Sequence, residues 1–97
     1  IRHIAFFSTI DPNNLDAIEA GLWVVKYNPH AVRFSVSRNL NLAEIPSPHP
    51  DFVVMADIEN EDELAAYKAH PLYAESIRLV RPLRDIRVAT DLLVNDD

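Results

Sequence analysis

The chain contains no cysteine and a single glycine, Gly21, among its 97 residues. Without cysteine there is no disulfide, no thiolate nucleophile and no cysteine-ligated iron–sulfur cluster. One glycine is too few for the glycine-rich loops that hold phosphates, or for the Gly-x-Ser-x-Gly turn of many hydrolases. These absences exclude several large classes of nucleotide-binding and hydrolytic enzymes.

Long apolar runs are also missing. No stretch approaches the ~20 consecutive apolar residues that are needed to cross a bilayer. The first residues lack the basic and then apolar arrangement of a secretory signal peptide. We therefore expect a cytoplasmic protein that has no membrane as a partner.

Positive charge is scarce as well, since nine Lys and Arg stand against fifteen Asp and Glu, for a net charge of −6. An acidic chain is a poor match for nucleic acid or for an anionic membrane surface. The four histidines, at positions 3, 30, 49 and 70, have none of the close spacings of metal-binding motifs. The sequence predicts neither a metal nor a cofactor.

The length fits a single domain over residues 1–97. Two-residue alternation of apolar side chains predicts strands, and three- to four-residue spacing predicts helices. The predicted strands cover residues 1–7, 32–37, 52–58 and 85–94; the predicted helices start after Asp11, after Asn60 and at Pro71. Three prolines within residues 45–50 predict a surface loop between the second and third strands.

This order, β-α-β-β-α-β with the second helix broken at Pro71, predicts a ferredoxin-like α+β sandwich with helices on one face of a four-stranded antiparallel sheet. The predicted strands are apolar on both sides, yet only one face has helices to cover it. A second copy of the chain is expected to cover the other face, which predicts a homodimer.

Three segments resemble the stress-responsive α/β-barrel (Dabb) family: Ile1-Arg-His-Ile-Ala-Phe-Phe7, Ser37-Arg-Asn-Leu40 and Asp62-Glu-Leu-Ala-Ala-Tyr-Lys-Ala-His-Pro71. The resemblance extends over residues 1–94. It implies a dimeric α/β barrel, in which two sheets face each other with the helices outside. It also implies a small apolar cavity between the sheet and the helices of each subunit.

The family includes a polyketide cyclase that uses a tyrosine and a histidine as its acid–base pair. The resemblance implies that some positions of this sequence correspond to that site. Tyr67 matches the tyrosine, but Tyr73 occupies the histidine position. His3 and Asp91 match polar positions of the same cavity, whereas Arg87 stands where the cyclase has an apolar residue. A phenol with a pKa near ~10 is a poor base at neutral pH, so Tyr73 argues against the same mechanism.

The residues themselves leave two interpretations of this cluster open. His3, Tyr67 and Tyr73 are either satisfied core residues or form, together with Arg87, the polar end of an apolar pocket. Asp91 either orients His3 or pairs with Arg87, which is predicted to lie on the same face of the last strand. The wall of such a pocket is predicted to consist of Ala5, Phe7, Ile18, Phe34, Val54 and Ile77.

Three functions remain as hypotheses. The first is a homodimer whose cavity binds a small aromatic or carbonyl-containing acid, with Arg87 facing the carboxylate or enolate. The second is a cyclase-like or isomerase-like enzyme in which His3 is the base, Tyr67 the hydrogen-bond donor and Asp91 the residue that orients the histidine. The third is a structural stress-response protein without a ligand.

Overall fold

The structure is a computed structural model that describes residues 1–41 and 49–94. Most of the predicted proline loop at 45–50 lies outside the described residues. The elements, in chain order, are β1 (Arg2–Thr9), α1 (Leu15–Trp23), β2 (Arg33–Arg38), β3 (Phe52–Asp57), α2 (Glu61–Ala69), α3 (Pro71–Val80) and β4 (Arg84–Leu92). Short 3-10 turns at Pro12–Asn14 and Val24–Tyr27 flank α1. The predicted element order is confirmed.

The four strands form one antiparallel sheet in the order β2-β3-β1-β4, which confirms the ferredoxin-like α+β fold. Along β1, buried side chains alternate with half-buried ones. His3, Ala5 and Phe7 therefore share the inner face that packs against the helices. Strands β2 and β4 are the two edges of the sheet, and within the described part of the chain β4 pairs only with β1.

Side-chain caps fix where the helices begin and end. Asp11 accepts a hydrogen bond from the backbone N–H of Asn13 at 2.9 Å, as its position before Pro12 predicts. Asn60 caps α2 in the same way, through the N–H of Glu63 at 2.9 Å. His70 ends α2 and caps α3, since its Nδ1 accepts from the N–H of Leu72 at 3.1 Å.

The core lies between the inner face of the sheet and the helices, with Ile18 and Phe52 fully buried at its centre. Gly21 marks the closest approach of α1 to α3. A Cβ at this position would lie 2.8 Å from Cγ2 of Val80 and 3.2 Å from Cβ of Leu79. The close packing of these two helices therefore favours glycine at this position.

The outer face of the sheet is apolar and partly exposed. Ile86, Val88 and Leu92 of β4 are 45%, 56% and 44% exposed, respectively. Phe6 and Ile4 lie beside them as the β1 partners of Val88 and Thr90. Among the described residues, no helix is long and apolar enough to cross a membrane.

Candidate functional site

A cavity of about 180 Å³ lies between the inner face of the sheet and the helices. Its wall is apolar over most of its extent and polar at its ends. The lining residues are His3, Ala5, Phe7, Leu22, Val25, Val54, Tyr67, Tyr73, Ser76, Ile77, Val80, Arg81, Arg84 and Arg87.

His3 forms one polar end of this cavity. Its side chain is buried, and its Nδ1 lies 2.6 Å from Oδ1 of Asp91, the residue directly opposite it on β4. The other carboxylate oxygen of Asp91 accepts from Nζ of Lys68 at 2.7 Å. Because an ionised carboxylate only accepts, Nδ1 of His3 carries the proton and Nε2 is left as the acceptor on a ring that lines the cavity.

The pKa directions agree with a neutral histidine beside an ionised carboxylate. Burial lowers the pKa of His3 below its ordinary value and outweighs the Asp91 hydrogen bond, which acts in the opposite direction. Burial alone would raise the pKa of Asp91, but the hydrogen bonds from Lys68 and His3 together hold it below its usual range. His3 is therefore uncharged near neutral pH and available to accept a proton.

The rings of two tyrosines lie next to the ring of His3. The ring centroids of Tyr67 and Tyr73 lie 5.8 Å and 6.4 Å from that of His3, and 5.4 Å from each other. Tyr67 comes from α2 and is 1% exposed; burial raises the pKa of its hydroxyl well above the ordinary value, so it stays protonated. A neutral, fixed phenol of this kind acts as a hydrogen-bond donor.

Arg87 and Tyr73 form a second polar group. Nη2 of Arg87 donates to the hydroxyl of Tyr73 at 3.1 Å, and the guanidinium lies 5.9 Å from the ring centroid of Phe7. The alternative pairing of Arg87 with Asp91 is wrong, because Asp91 binds His3 and Lys68 instead. Arg87 thus presents its charge to the cavity beside a neutral hydroxyl.

The structure brings most of the predicted site residues together. Those lining the cavity are His3, Ala5, Phe7, Val54, Tyr67, Tyr73, Ile77 and Arg87. Asp91 lies behind His3 and reaches the cavity only through it. The prediction that Phe34 and Ile18 line the cavity is wrong. Phe34, on β2, packs edge-on against Trp23 at 5.8 Å between centroids, and Ile18 is part of the solid core.

Sequence reasoning missed two arginines of the lining, Arg81 and Arg84. On a helical wheel, Arg81 falls opposite the apolar arc of α3, yet α3 ends at Val80 and Arg81 follows it. Arg84 begins β4, three residues before Arg87. In a regular strand these two side chains would point to opposite faces.

The sequence model of the stress responsive A/B barrel domain family (Dabb) matches residues 1–94. The chain belongs to this family. No curated protein matches the chain.

Solved structures with a ferredoxin-like fold are similar to this chain over nearly its whole length. One is a dimeric ferredoxin-like protein of unknown function from Thermobifida fusca, 28% identical, with a TM-score of 0.77 over 92% of this chain and 85% of that one. A Dabb family protein from Mesorhizobium loti is 14% identical, with a TM-score of 0.77 over 97% and 95%. A dimeric ferredoxin-like protein from Jannaschia is 18% identical, with a TM-score of 0.76 over 96% and 97%.

Proposed function

We propose that the protein is a homodimer in which the cavity of each subunit binds a small aromatic or carbonyl-containing acid. The observation that carries this proposal is an apolar cavity with the Arg87–Tyr73 pair at one side. At about 180 Å³ it is slightly larger than cavities of ~150 Å³ that hold benzene. A ligand of about one aromatic ring with a short substituent fits this volume.

Arg87 gives the ligand its expected charge. Within the described part of the chain, its side-chain hydrogen bond is to the neutral hydroxyl of Tyr73 and not to a carboxylate. A carboxylate ligand would add a charge-assisted hydrogen bond, which is about twice as strong as a neutral one.

The test is the affinity for benzoate, measured by calorimetry on the wild type and on Arg87→Leu. We expect the variant to bind at least about tenfold more weakly, because it loses a charge-assisted hydrogen bond. Arg78→Leu is the matched control, since Arg78 lies on α3 outside the cavity and pairs with Glu75. Unchanged benzoate affinity in Arg87→Leu would contradict the carboxylate role.

An acid–base enzyme is the second candidate, and the His3–Asp91 hydrogen bond favours it. Nε2 of His3 would remove a proton from a carbon next to a carbonyl group. The Tyr67 hydroxyl would donate a hydrogen bond to the oxygen of the developing enolate. Asp91 and Lys68 touch no substrate in this scheme; they hold the imidazole in the tautomer that accepts a proton.

The spacing along the sheet suggests a probe for this reaction. His3 and Phe7 are four residues apart on β1, as Asp91 and Arg87 are on β4, which separates the two ends by about 13 Å between Cα atoms. With an acid group at Arg87, a ketone one ring away faces His3. 4-Acetylbenzoate has this arrangement and carries exchangeable methyl protons beside its carbonyl group.

The measurement is proton–deuterium exchange of that methyl group in D₂O, followed by NMR. We expect the wild type to catalyse exchange, and His3→Gln to slow it by about 10²- to 10⁴-fold, the usual contribution of a general base. Tyr67→Phe should slow it less, because it removes one hydrogen-bond donor only. Equal exchange in His3→Gln would remove the enzyme candidate and leave the binding function.

The homodimer is supported by the apolar outer face of the sheet and by the dimeric solved structures of the same fold. Val88→Asp places a charge in the centre of that face and is expected to yield monomers in native mass spectrometry. Val32→Asp is the control, because Val32 is exposed but precedes β2 outside that face. A dimeric Val88→Asp variant would contradict this interface, and an intact dimer that binds no acid would favour a structural role.

A further inference from the structure

Three arginines converge on one end of the cavity. Arg81, Arg84 and Arg87 all line it, and none of them forms an ion pair with a carboxylate among residues 1–41 and 49–94. Lys26 and Arg33 also form no ion pair among these residues, but they do not line the cavity. Other basic side chains do pair with carboxylates: Arg2, Arg38, Lys68 and Arg78.

A β-bulge in β4 turns Arg84 towards the cavity. Phe7 pairs with Arg87 and Thr9 with Arg84, so two steps along β1 correspond to three steps along β4. Side chains three positions apart in a regular strand point to opposite faces. Because β4 contains one extra residue here, Arg84 and Arg87 point to the same, inner face. The hydroxyl of Ser8 accepts from the N–H of Ile86 at 3.0 Å and thereby satisfies a backbone group inside the bulge.

Arg81 reaches the same end by a different route. It follows α3 directly, and the turn after it is closed by hydrogen bonds from the N–H of Leu83 to Val80 and from the N–H of Ile10 to Leu83. This turn holds the end of α3 against the end of β1. Arg81 and Arg84 therefore stand on the two sides of one fixed turn, next to Arg87.

Three like charges that line one cavity without a carboxylate partner create a positive potential that attracts anions. We propose that Arg81 and Arg84 form a second anion site, so that the ligand is a dianion: an apolar body of about one ring with a second carboxylate or a phosphoryl group beside the acid at Arg87. This inference rests on the proposed binding function, which places the body of the ligand in the cavity. Guanidinium groups suit both kinds of anion, since they bind carboxylates and phosphates through paired hydrogen bonds.

The test compares three ligands with the same ring: benzoate, benzene-1,3-dicarboxylate and phenyl phosphate. The readout is the ratio of each dianion's affinity to that of benzoate in the same variant. In the wild type we expect at least one dianion to bind about tenfold more tightly than benzoate, and the ratio to fall with added salt. A preference for phenyl phosphate alone would identify the second group as phosphoryl.

The Arg81→Gln/Arg84→Gln double variant should lower that ratio to about one. The control is Arg33→Gln/Arg78→Gln, which removes the same charge from residues outside the cavity and should keep the wild-type ratio. A ratio near one in the wild type, with benzoate still bound through Arg87, overturns the second site and leaves the proposed function standing. If neither benzoate nor a dianion binds, both proposals fall.

Discussion

Acidification from about pH 8 to about pH 5 is expected to destabilise the fold through His3, whose ordinary pKa is about 6.5. His3 is 2% exposed, and burial lowers its pKa in the folded state. The unfolded chain therefore takes up a proton on this histidine at a higher pH than the folded chain does. The stabilising contribution is complete above about pH 6.5 and is lost as the pH falls from there through the folded-state pKa.

The slope of this loss has a physical limit. Where the unfolded histidine is protonated and the folded one is not, unfolding takes up one proton. The free energy of unfolding then falls by about 1.4 kcal/mol for each pH unit per subunit. The assay is urea unfolding at a series of pH values with the subunit concentration held constant, because dimerisation makes stability depend on concentration.

His3→Gln should remove this part of the pH dependence, whereas His49→Gln, an exposed histidine outside the cavity, should retain it. Substitutions of the two charged residues near His3 should move the pH range of this loss of stability in opposite directions. Asp91→Asn removes the partner that raises the pKa of His3, so the loss should extend to lower pH; Lys68→Met removes a nearby positive charge, so it should end at a higher pH. An identical pH profile for the wild type and His3→Gln would refute the assignment of a neutral, buried histidine.

Three further changes test the packing that holds the site. Gly21→Ala should lower the free energy of unfolding by about 1 kcal/mol, because the clash with Val80 outweighs the gain in helix propensity; thermal unfolding measures it. Asn60→Ala should cost about 1 kcal/mol in urea unfolding through the lost cap of α2, with Asn13→Ala as the control. Ser8→Ala should destabilise by about 1–3 kcal/mol and speed the amide exchange of Ile86, which loses its acceptor; an unchanged exchange rate would contradict the bulge contact.

The fold is predictable from the sequence because local signals and hydrophobic periods agree with each other. Asp11, Asn60 and His70 each precede a helix and cap it, and Pro71 breaks the chain between two helices. The alternation along β1 correctly identifies His3 as an inward-facing residue. These features depend on neighbours in sequence, so a pattern along the chain is sufficient to find them.

The site is less predictable because it depends on which strands are adjacent and in what register. Phe34 lies at an alternating position of β2 that is typical of an inward-facing residue. However, β2 and β4 are at opposite edges of the sheet, and the side chain of Phe34 packs against the core and not into the cavity. Arg84 is hidden by the bulge, which exists only in the pairing of β4 with β1. Arg81 is hidden because periodicity does not show that the helix stops at Val80.

In the proposed binding mode, strand β4 sets the orientation of the ligand, because it contributes to both polar ends of the cavity. Asp91 holds His3 at one end, and the Cα atom of Arg87 lies about 13 Å from that of Asp91 along the same strand, with Arg84 beyond it. An acid bound at the arginine end keeps its nearest atoms away from His3 and presents its far side to Nε2. The distance between acid and ketone should therefore govern proton exchange: 4-acetylbenzoate should exchange its methyl protons, and 2-acetylbenzoate, with the ketone beside the acid, should not. Equal exchange for the two isomers would mean that the arginines do not orient the ligand.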